Sequence, residues 1–527
     1  MTLETVGPAD TSSASAQRPV ARTLIVTGPG VAQAPGVVRT SVVGTTAGAT
    51  TASWAGVDSW AGVEARSSSQ GYRSRVADLL ADGWTFAGLH VAPARQAVRA
   101  LLAGPDGTTC LVDAPADGDR VPSVVDLVPA AGWDEREAHD RFGIRFDGHD
   151  PLRPLLDHRE PLGWEVPVHG PDAHQVAVGP IHAGVIESGH FRFHVVGDRI
   201  LHLDARLFYK HRGLEQAAEG LGLDEGLRYA ARACGACAVS NAVAYAHACE
   251  EACGLVAVPE LARTRTILLE LERFWSHLND IAAVCAGVGL ATGNTRFAGL
   301  TERARRVNAA VTGHRFLFGA VRVGGSDLRL SHDRVRTVRA ELAAIGVEAR
   351  RSWRELLFNA SFQDRLPGVG VLRPEDVRLL GTVGPAGRSA GSAEDVRAVS
   401  PRLTYEDFRP VLPEHPDGDV RARLEQRSLE LGQSLEILDR LLDRPVLPAV
   451  AEAGGRSRPV GVGRVESPRG ATSCVVERDG TRIARLRLRT GSYANWPSVA
   501  FTAGGALMPD FPLINKSFEL CYACADR

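Results

Sequence analysis

SFELCYACADR, residues 517–527, closes the sequence and carries two cysteines, Cys521 and Cys524, in a C-x-x-C pair. The ends of protein chains usually fray, so a pair of reactive thiols at this place needs something that fixes it. A second C-x-x-C pair, Cys234 and Cys237, lies well inside the chain. Two such pairs could converge on four thiolates. If they do, the fold must bring the end of the chain back to a point near its middle.

The pair inside the chain belongs to LRYAARACGACAVSNAVAYAHACEEACG (227–254). Spacing of three predicts that the sulfurs of Cys234 and Cys237 lie on one side of a helical turn, with Gly235 leaving space beside them. Nine cysteines in 527 residues are too few for a disulfide framework. Spacing alone leaves a structural zinc site and another metal centre equally open. Structural zinc usually ties together short loops, however, whereas these pairs are joined to a large domain.

Composition predicts a globular chain, since 44% of the 527 residues are hydrophobic and the formal net charge is −2. Such a chain is long enough for two or three domains. There is no basic excess that would indicate nucleic acid as a partner. There is also no apolar run of about 18 residues that would span a membrane. The first residues lack the features of a secretory signal, so we expect a cytoplasmic protein.

Three segments differ in their patterning. Residues 1–68 are rich in Ala, Thr and Ser, which predicts a disordered extension. Residues 69–166 predict a compact α/β domain, with a helix in YRSRVADLLADGW (72–84) and two strands around a Pro-Asp-Gly turn in AVRALLAGPDGTTCLVDAP (97–115). HGPDAHQVAVGP (169–180) is interpreted as a linker into the second domain.

The second domain, 172–527, begins with the alternation of strands in HFRFHVVGDRILHLDARL (190–207). Apolar residues at helical spacing then predict long helices within 262–288 and 419–445. The stretch 471–490 predicts two strands around an Asp-Gly turn. The fold class is α+β: a small α/β N-terminal domain is followed by a large, mainly α-helical domain with small sheets at its start and near its C-terminus.

Several motifs carry a family resemblance. RACGAC (232–237) resembles the R-x-C-G-x-C signature of nickel–iron hydrogenase large subunits, and LCYACADR (520–527) resembles their closing motif. Six further motifs follow one another as they do in the membrane-associated, energy-converting hydrogenases of the formate hydrogenlyase and hydrogenase-4 type, which are sisters of the complex I 49-kDa subunit. They are VGPIHAGVIESGHFRF, FYKHRGLEQAAEG, LLELERFWSHLNDIA, TGHRFLFGAVRVGG, ESPRGA and DFPLINKSF. GWDEREAHDRFGIRFDGHDPLRPLL (132–156) resembles the 30-kDa subunit of complex I, here fused upstream.

The resemblance implies a nickel–iron centre whose iron carries CO and cyanide. Cys234 and Cys521 would be terminal ligands of the nickel, and Cys237 and Cys524 would bridge the two metals; soft thiolates suit both. The other cysteines of the chain lack the spacing of an iron–sulfur site. The resemblance therefore implies a partner small subunit, similar to the complex I 20-kDa subunit, that carries a [4Fe–4S] cluster. It also implies membrane-embedded subunits, and thus a hetero-oligomer on the inner face of the cell membrane.

The resemblance implies roles for further residues. Glu187 stands where energy-converting hydrogenases carry a proton-relaying glutamate, and Arg469 where they place an arginine over the cyanide ligands. Glu215 matches a glutamate that binds magnesium together with a terminal histidine. Arg527 stands in place of that histidine, and it has no lone pair for a cation. Magnesium is therefore doubtful, and we expect a Glu215–Arg527 charge pair that anchors the terminus.

Asn241 departs from the family pattern, because it replaces a histidine that contacts a bridging sulfur; it can donate a hydrogen bond but cannot titrate. The alternative hypothesis is a complex I-type quinone-reducing subunit without hydrogenase activity. Of the two histidines in the quinone motif G-P-x-H-P-x-x-H-G, this chain keeps only the first, His182, and has Ile186 at the second. Because all four thiols are retained, hydrogenase chemistry is preferred. The electron donor, the direction of turnover, ion pumping and C-terminal trimming stay open.

Several other cysteine, histidine and aspartate residues, whose side chains could bind metals or transfer protons, are expected to be ordinary core residues. They are Cys110, Cys249, Cys253, Cys285, Cys474, His277 with Asp280, and His314.

Overall fold

The computed structural model describes residues 69–93, 97–159, 166–170, 172–182 and 187–527, all within one compact unit. The extension predicted to be disordered, 1–68, lies outside the described residues. The described part has the α+β class predicted from the sequence, with its small sheets in the predicted places.

The N-terminal domain contains two helices and five strands. They are α1 (Ser69–Ala81), β1 (Thr85–Val91), β2 (Ala97–Ala103), β3 (Thr109–Pro115), β4 (Arg120–Pro122), α2 (Gly132–Phe142) and β5 (Arg145–Asp147). The first three strands form an antiparallel sheet in the order β1-β2-β3, and β4 pairs with β5 in parallel. The predicted helix and strand pair are therefore confirmed.

The β1–β3 sheet is buried on both faces. Alternate residues of β2, such as Val98 and Leu102, pack with Tyr72 and Val76 of α1. The intervening residue Leu101 belongs to a second apolar cluster that contains residues of the large domain. Because side chains alternate between the two faces of a strand, one short sheet carries both the core of the N-terminal domain and its contact with the rest of the chain.

The large domain begins with an antiparallel three-stranded sheet of β6 (His174–Val178), β7 (His190–Val196) and β8 (Arg199–Arg206), with β7 in the middle. The interpretation of 169–180 as a linker is therefore wrong in its second half. Gly and Pro mark the ends of a strand there, and Val176 lies opposite Phe193. Turn residues on both sides of a short extended segment are as typical of an edge strand as of a linker.

The helical body follows, interrupted by strands of two residues. Its elements are α3 (Leu214–Ala218), α4 (Leu223–Ala231), α5 (Ala238–Cys253), β9 (Leu255–Val256), α6 (Pro259–Gly287), α7 (Ala291–Thr312), β10 (Gly325–Ser326), α8 (His332–Leu357), α9 (Ala360–Gln363), α10 (Pro374–Leu380), α11 (Gly384–Arg388), α12 (Val420–Leu441), β11 (Ala449–Val450) and β12 (Glu452–Ala453). Both predicted long helices are present, as α6 and α12. Of the helices in the described part of the chain, none has the length and apolar character needed to cross a membrane.

The chain then forms a second antiparallel sheet and three helices. They are β13 (Val460–Ser467), β14 (Gly470–Asp479), β15 (Arg482–Arg489), α13 (Gly491–Ala503), α14 (Phe511–Phe518) and α15 (Tyr522–Asp526). Helix α5 packs on β13 with its backbone unusually close: a Cβ on Gly463 would lie 1.9 Å from the carbonyl oxygen of Ala244. Glycine on the strand and alanine on the helix permit this approach, which fixes α5 and the cysteine pair before it.

Candidate metal centre

The first cysteine pair lies in the loop between α4 and α5, with Cys237 directly before the helix. The prediction of a helical turn at this pair is therefore wrong. There is space around Gly235, because a Cβ there would meet only the ring of Phe316, at an ordinary 3.9 Å; close packing does not require a glycine at this position. The start of α5 is fixed by Glu272 of α6, whose carboxylate accepts hydrogen bonds from the backbone N–H groups of Val239 (2.6 Å) and Ser240 (3.0 Å).

The second pair frames the last helix, where Cys521 is the N-cap residue of α15 and Cys524 lies within it. The backbone N–H of Cys521 donates to Ser492 Oγ at 3.1 Å. Thr490 Oγ1 donates to the carbonyl of Cys524 at 3.2 Å. Between the cysteines, the N–H of Ala523 donates to the carboxylate of Glu187 at 2.6 Å. A helix of five residues is not stable alone, so contacts such as these contribute to where it lies.

The four sulfurs meet in one pocket. Cys234 Sγ lies 2.8 Å from Cys521 Sγ, and the sulfurs of Cys234, Cys237 and Cys524 all lie within 4.8 Å of one another. Three of the cysteines are buried and Cys521 is half-buried. The separation of 2.8 Å is longer than a disulfide bond of about 2.05 Å. The structure thus joins the two pairs into a set of four soft donors.

The electrostatics of this pocket favour a cation. Hydrogen bonds from the other three thiols lower the pKa of Cys234 well below its usual value. The same contacts raise the pKa values of Cys237, Cys521 and Cys524, because four sulfurs at this distance cannot all carry a charge. A bound metal cation removes this restriction and displaces the protons. The donor set fits a thiolate-bound metal.

Arg469 is fixed beside the thiols by Asp280 of α6. Its Nη1 and Nη2 donate to the two carboxylate oxygens of Asp280 at 2.6 and 2.8 Å. Burial lowers the pKa of Arg469, but the charge of Asp280 and then those of Cys237 and Cys521 outweigh it and raise the pKa above its usual value. Among the described residues the buried Nε of Arg469 has no hydrogen-bond partner. A charged group with an unused donor beside the thiols fits an anionic ligand in this pocket.

The backbone around Arg469 is tightly packed. Gly470 has φ +118°, and a Cβ on it would lie 2.7 Å from the backbone nitrogen of Gly384. A side chain at 470 would therefore displace the neighbouring segment and the arginine with it. The ESPRGA motif therefore combines Arg469 with Gly470, the glycine that allows this part of the backbone to pack closely against Gly384.

Asn241 lies on the first turn of α5, fully buried. Its Nδ2 donates to Cys524 Sγ at 3.9 Å, which is a weak contact. Its Oδ1 has no hydrogen-bond partner among the residues that the structure describes. Asn241 therefore connects the helix of the first pair to a sulfur of the second.

The structure places Glu215 and Arg527 together, with 3.6 Å between Glu215 Oε1 and Arg527 Nη1. The shorter contacts of Arg527 are with Glu137 of α2, whose two oxygens accept from Nη2 at 2.7 and 2.6 Å. Arg141 and Arg487 also pair with these carboxylates. Because guanidinium groups surround both glutamates, these residues do not fit a magnesium ion.

Three residues that fix the site were not predicted from the sequence: Glu272, Asp280 as the partner of Arg469, and Glu137. A signal existed for two of them, because LLELERFWSHLND places several charged residues on a helix that is otherwise apolar, and buried charges are normally paired. Glu137 lies in the GWDEREAHDRF motif, but nothing in the sequence indicates its partner.

The residues expected to be core residues are mostly buried. Cys110, Cys249, Cys285 and Cys474 are buried and Cys253 is half-buried. His277 is fully buried between Asp280 (3.6 Å) and Glu430 (3.1 Å). His314 is half-buried, and its ring accepts from the N–H of Phe316.

His182, the histidine kept from the quinone motif, bonds the carbonyl of Gly189 at 2.8 Å. Ile186 lies outside the described residues.

Two family models and one solved structure indicate the class of protein to which the chain belongs. Residues 93–170 match the family described as respiratory-chain NADH dehydrogenase, 30 Kd subunit. Residues 288–453 match respiratory-chain NADH dehydrogenase, 49 Kd subunit. A chain in the structure of the membrane-bound sulfane sulfur reductase, an archaeal respiratory membrane complex, has a TM-score of 0.62 at 26% identity, covering 68% of this chain and 99% of that chain. The class is that of oxidoreductase subunits related to complex I.

Individual relatives include hydrogenases. Formate hydrogenlyase subunit 5 of Escherichia coli is 32% identical over 82% of either chain. Hydrogenase-4 component G of the same organism is 32% identical over 79% of this chain and 77% of its own length. An NADH-quinone oxidoreductase subunit of Phocaeicola vulgatus is 29% identical over 62% of this chain and 70% of its own length. The chain belongs to the family of formate hydrogenlyase subunit 5 and hydrogenase-4 component G, which confirms the resemblance drawn from the motifs.

Proposed function

We propose that this chain is the catalytic large subunit of a membrane-associated nickel–iron hydrogenase complex, which interconverts H₂ with protons and electrons. The observation that supports this most is the convergence of four buried or half-buried cysteine sulfurs beside the charged guanidinium of Arg469. Thiolates provide the soft ligands that nickel and low-spin iron need, and a buried cation suits anionic ligands on iron.

Cys234, Cys237, Cys521 and Cys524 would hold a nickel–iron centre whose iron carries CO and cyanide. When bound, this centre supplies the redox chemistry of H₂. Arg469 contributes a fixed positive charge that Asp280 orients, and its unused Nε–H can donate to a cyanide. Asn241 donates a weak hydrogen bond to Cys524 Sγ without exchanging a proton.

Glu187 is proposed as the proton relay. Its carboxylate accepts from the N–H of Ala523, which lies between Cys521 and Cys524. The side chain is half-buried, so it can exchange protons between the thiolate region and solvent. The geometry supports this role because it places the acid beside the C-terminal pair and near the surface.

The proposed assembly is a hetero-oligomer. Within this chain we propose two domains, a complex I 30-kDa-like domain at 69–166 and a large-subunit domain at 172–527. Relatives are named as components of larger enzymes, among them the membrane-bound hydrogenase subunit alpha of Pyrococcus furiosus. We propose a small subunit with a [4Fe–4S] cluster beside the half-buried Cys521, and membrane subunits that place the complex on the inner face of the cell membrane.

A second candidate is a complex I-type electron-transfer subunit. Its support is the match to both NADH dehydrogenase families and the relatives among NADH-quinone oxidoreductases. This candidate gives no role to the four thiols, which a cell must protect from oxidation.

The experiment compares two activities of the purified complex: H₂-dependent reduction of a viologen dye and reduction of a soluble quinone. Cys521→Ser should abolish the first, and Cys253→Ser, a half-buried cysteine outside the pocket, should leave it unchanged. Quinone reduction that survives Cys521→Ser, with no H₂-dependent activity in the unaltered complex, would contradict the hydrogenase proposal and support the second candidate.

A further inference from the structure

The N-terminal domain contacts the large domain through an apolar centre with charged residues around it. Ala87, Leu101 and Leu111 of the β1–β3 sheet form one buried cluster with Val460 and Val475 of the β13–β15 sheet. Apolar packing of this kind brings two surfaces together without fixing individual side chains. The charged contacts beside it are specific, and they determine which residues of the large domain the N-terminal domain orients.

Two neighbouring carboxylates of α2 share Arg487 and differ in their second partner. Asp134 pairs with Arg487 at 2.8 Å and with Arg489 at 3.0 Å, both on β15. Glu137 pairs with Arg487 at 2.7 Å and also binds Arg527 through both of its oxygens. Of these two α2 carboxylates, Glu137 is the one that contacts the segment with the second cysteine pair.

Arg527 is only 1% exposed, and Glu137 only 2%. A buried guanidinium needs acceptors for its donors, and removing an acceptor leaves an uncompensated charge. Arg527 Nη1 donates to the carbonyl of Leu488 at 2.5 Å and lies 3.6 Å from Glu215. Both Nη2 contacts are with Glu137. Without Glu137, therefore, this end of the guanidinium has lost its anion.

The position of Arg527 is transmitted directly to Cys524. Arg527 N–H donates to the carbonyl of Ala523 at 3.0 Å, so the arginine is the last residue of the same helical turn that carries Cys524. The first cysteine pair is fixed differently, because Glu272 and α5 hold it from within the helical body.

We infer that Glu137 is a positioning residue for the metal centre: the N-terminal domain, through the Glu137–Arg527 pair, fixes the C-terminal turn that carries Cys524. Docking of the N-terminal domain thereby adds a fixed point to the C-terminal turn, beside those that the backbone N–H groups of Phe208, Lys210 and Arg212 of the large domain provide. The inference rests on the proposed function only in treating the four thiols as metal ligands, and it is independent of which metal they bind.

The test measures alkylation of individual thiols in the full chain, purified from cells grown without nickel. Iodoacetamide is the probe, and mass spectrometry of the peptides gives a separate rate for Cys524 and for Cys237, which are both buried. In Glu137→Gln we expect Cys524 to react about 10- to 100-fold faster, the factor that corresponds to losing a charged hydrogen bond. The rate at Cys237 should stay unchanged.

Asp134→Asn is the matched control, because it removes a buried carboxylate from the same helix and the same interface without touching Arg527. It should leave both thiols as in the unaltered chain. A second variant, Arg527→Gln, should expose Cys524 selectively even if Glu137→Gln does not fold, as judged by its thermal unfolding. In the assembled complex, Glu137→Gln should retain metal about 10- to 100-fold less tightly.

The inference is overturned if Glu137→Gln leaves the rate at Cys524 unchanged. It is also overturned if both thiols become reactive to the same extent in Glu137→Gln and Asp134→Asn, because that result would indicate general loosening of the interface. Selective exposure of Cys524 in a chain whose complex has no hydrogenase activity would support the inference and contradict the proposed function, so the two failures are distinguishable.

Discussion

The two cysteine pairs have the same spacing but are positioned in opposite ways. Cys234 and Cys237 lie where two helices of the body meet, and Glu272 of α6 fixes the start of α5 beside them. Cys521 caps, and Cys524 lies within, a helix of five residues, which contacts from Glu187, Thr490 and Ser492 help to hold in place. One half of the pocket is therefore part of the scaffold, while the other half is assembled from distant parts of the chain.

This difference implies that substitutions around the two pairs should have different effects. A change in the scaffold should lower the stability of the whole body and affect the first pair locally. A change around the C-terminal helix should affect the metal centre while leaving most of the body unchanged, since stability is not uniform across a structure.

The largest expected effect is the loss of one ligand from either pair. Cys234→Ser and Cys521→Ser should both abolish nickel binding and H₂ turnover, because a serine hydroxyl is neither soft nor ionised at neutral pH. Metal analysis and H₂-dependent dye reduction measure the outcome. If one substitution left metal and turnover intact, the two pairs would not form one site.

Glu187→Gln should lower turnover by about 10²- to 10⁴-fold, the usual contribution of general acid–base catalysis. The amide oxygen can still accept from the N–H of Ala523, so the C-terminal helix should stay in place and the metal content should be unchanged. Glu414→Gln, at an exposed glutamate elsewhere, is the control. Undiminished turnover in Glu187→Gln would exclude Glu187 as the relay.

Glu272→Gln should lower the free energy of unfolding by about 1.5–3 kcal/mol, because its NH₂ group must face a buried backbone N–H at the start of α5. Thermal or denaturant unfolding of the full chain measures this loss. Alkylation should become faster at Cys237 than at Cys524, the reverse of the result expected for Glu137→Gln. Equal exposure of the two thiols would show that the pairs are not positioned independently.

Asn241→Ala should have the smallest effect, about 0.5–1.5 kcal/mol in stability and less than about tenfold in turnover, because the bond to Cys524 Sγ is long. Unfolding curves and dye reduction measure both quantities. A loss of turnover as large as that of Glu187→Gln would mean that Asn241 takes a direct part in the reaction.

The sequence is sufficient for the main elements and for the identity of the four thiols. Helices α6 and α12 and the strand pair around Asp479 and Gly480 follow from apolar periodicity and turn chemistry. Strand β6 escapes prediction because its five residues lie between a Gly-Pro pair and a second set of turn residues. Local signals mark such boundaries without showing whether the residues between them pair with another strand.

The contacts around the site cannot be predicted in the same way. The spacing of Cys234 and Cys237 fits a helical turn, yet both residues lie in the loop between α4 and α5. The start of α5 is fixed by Glu272, which belongs to a separate helix, α6. The sequence predicts Glu215 as the partner of Arg527, whereas the closer partner is Glu137. Ion pairs between residues far apart in sequence have no periodicity, so only the folded chain identifies them.

The most direct test of the central claim is the metal of the four-thiol pocket, determined on the complex purified with its maturation machinery. Elemental analysis should give about one nickel and one iron per chain, and the infrared spectrum should contain bands from CO and cyanide bound to iron. Stoichiometric zinc without nickel, and a spectrum without these bands, would show that the four cysteines form a structural zinc site and would contradict the account.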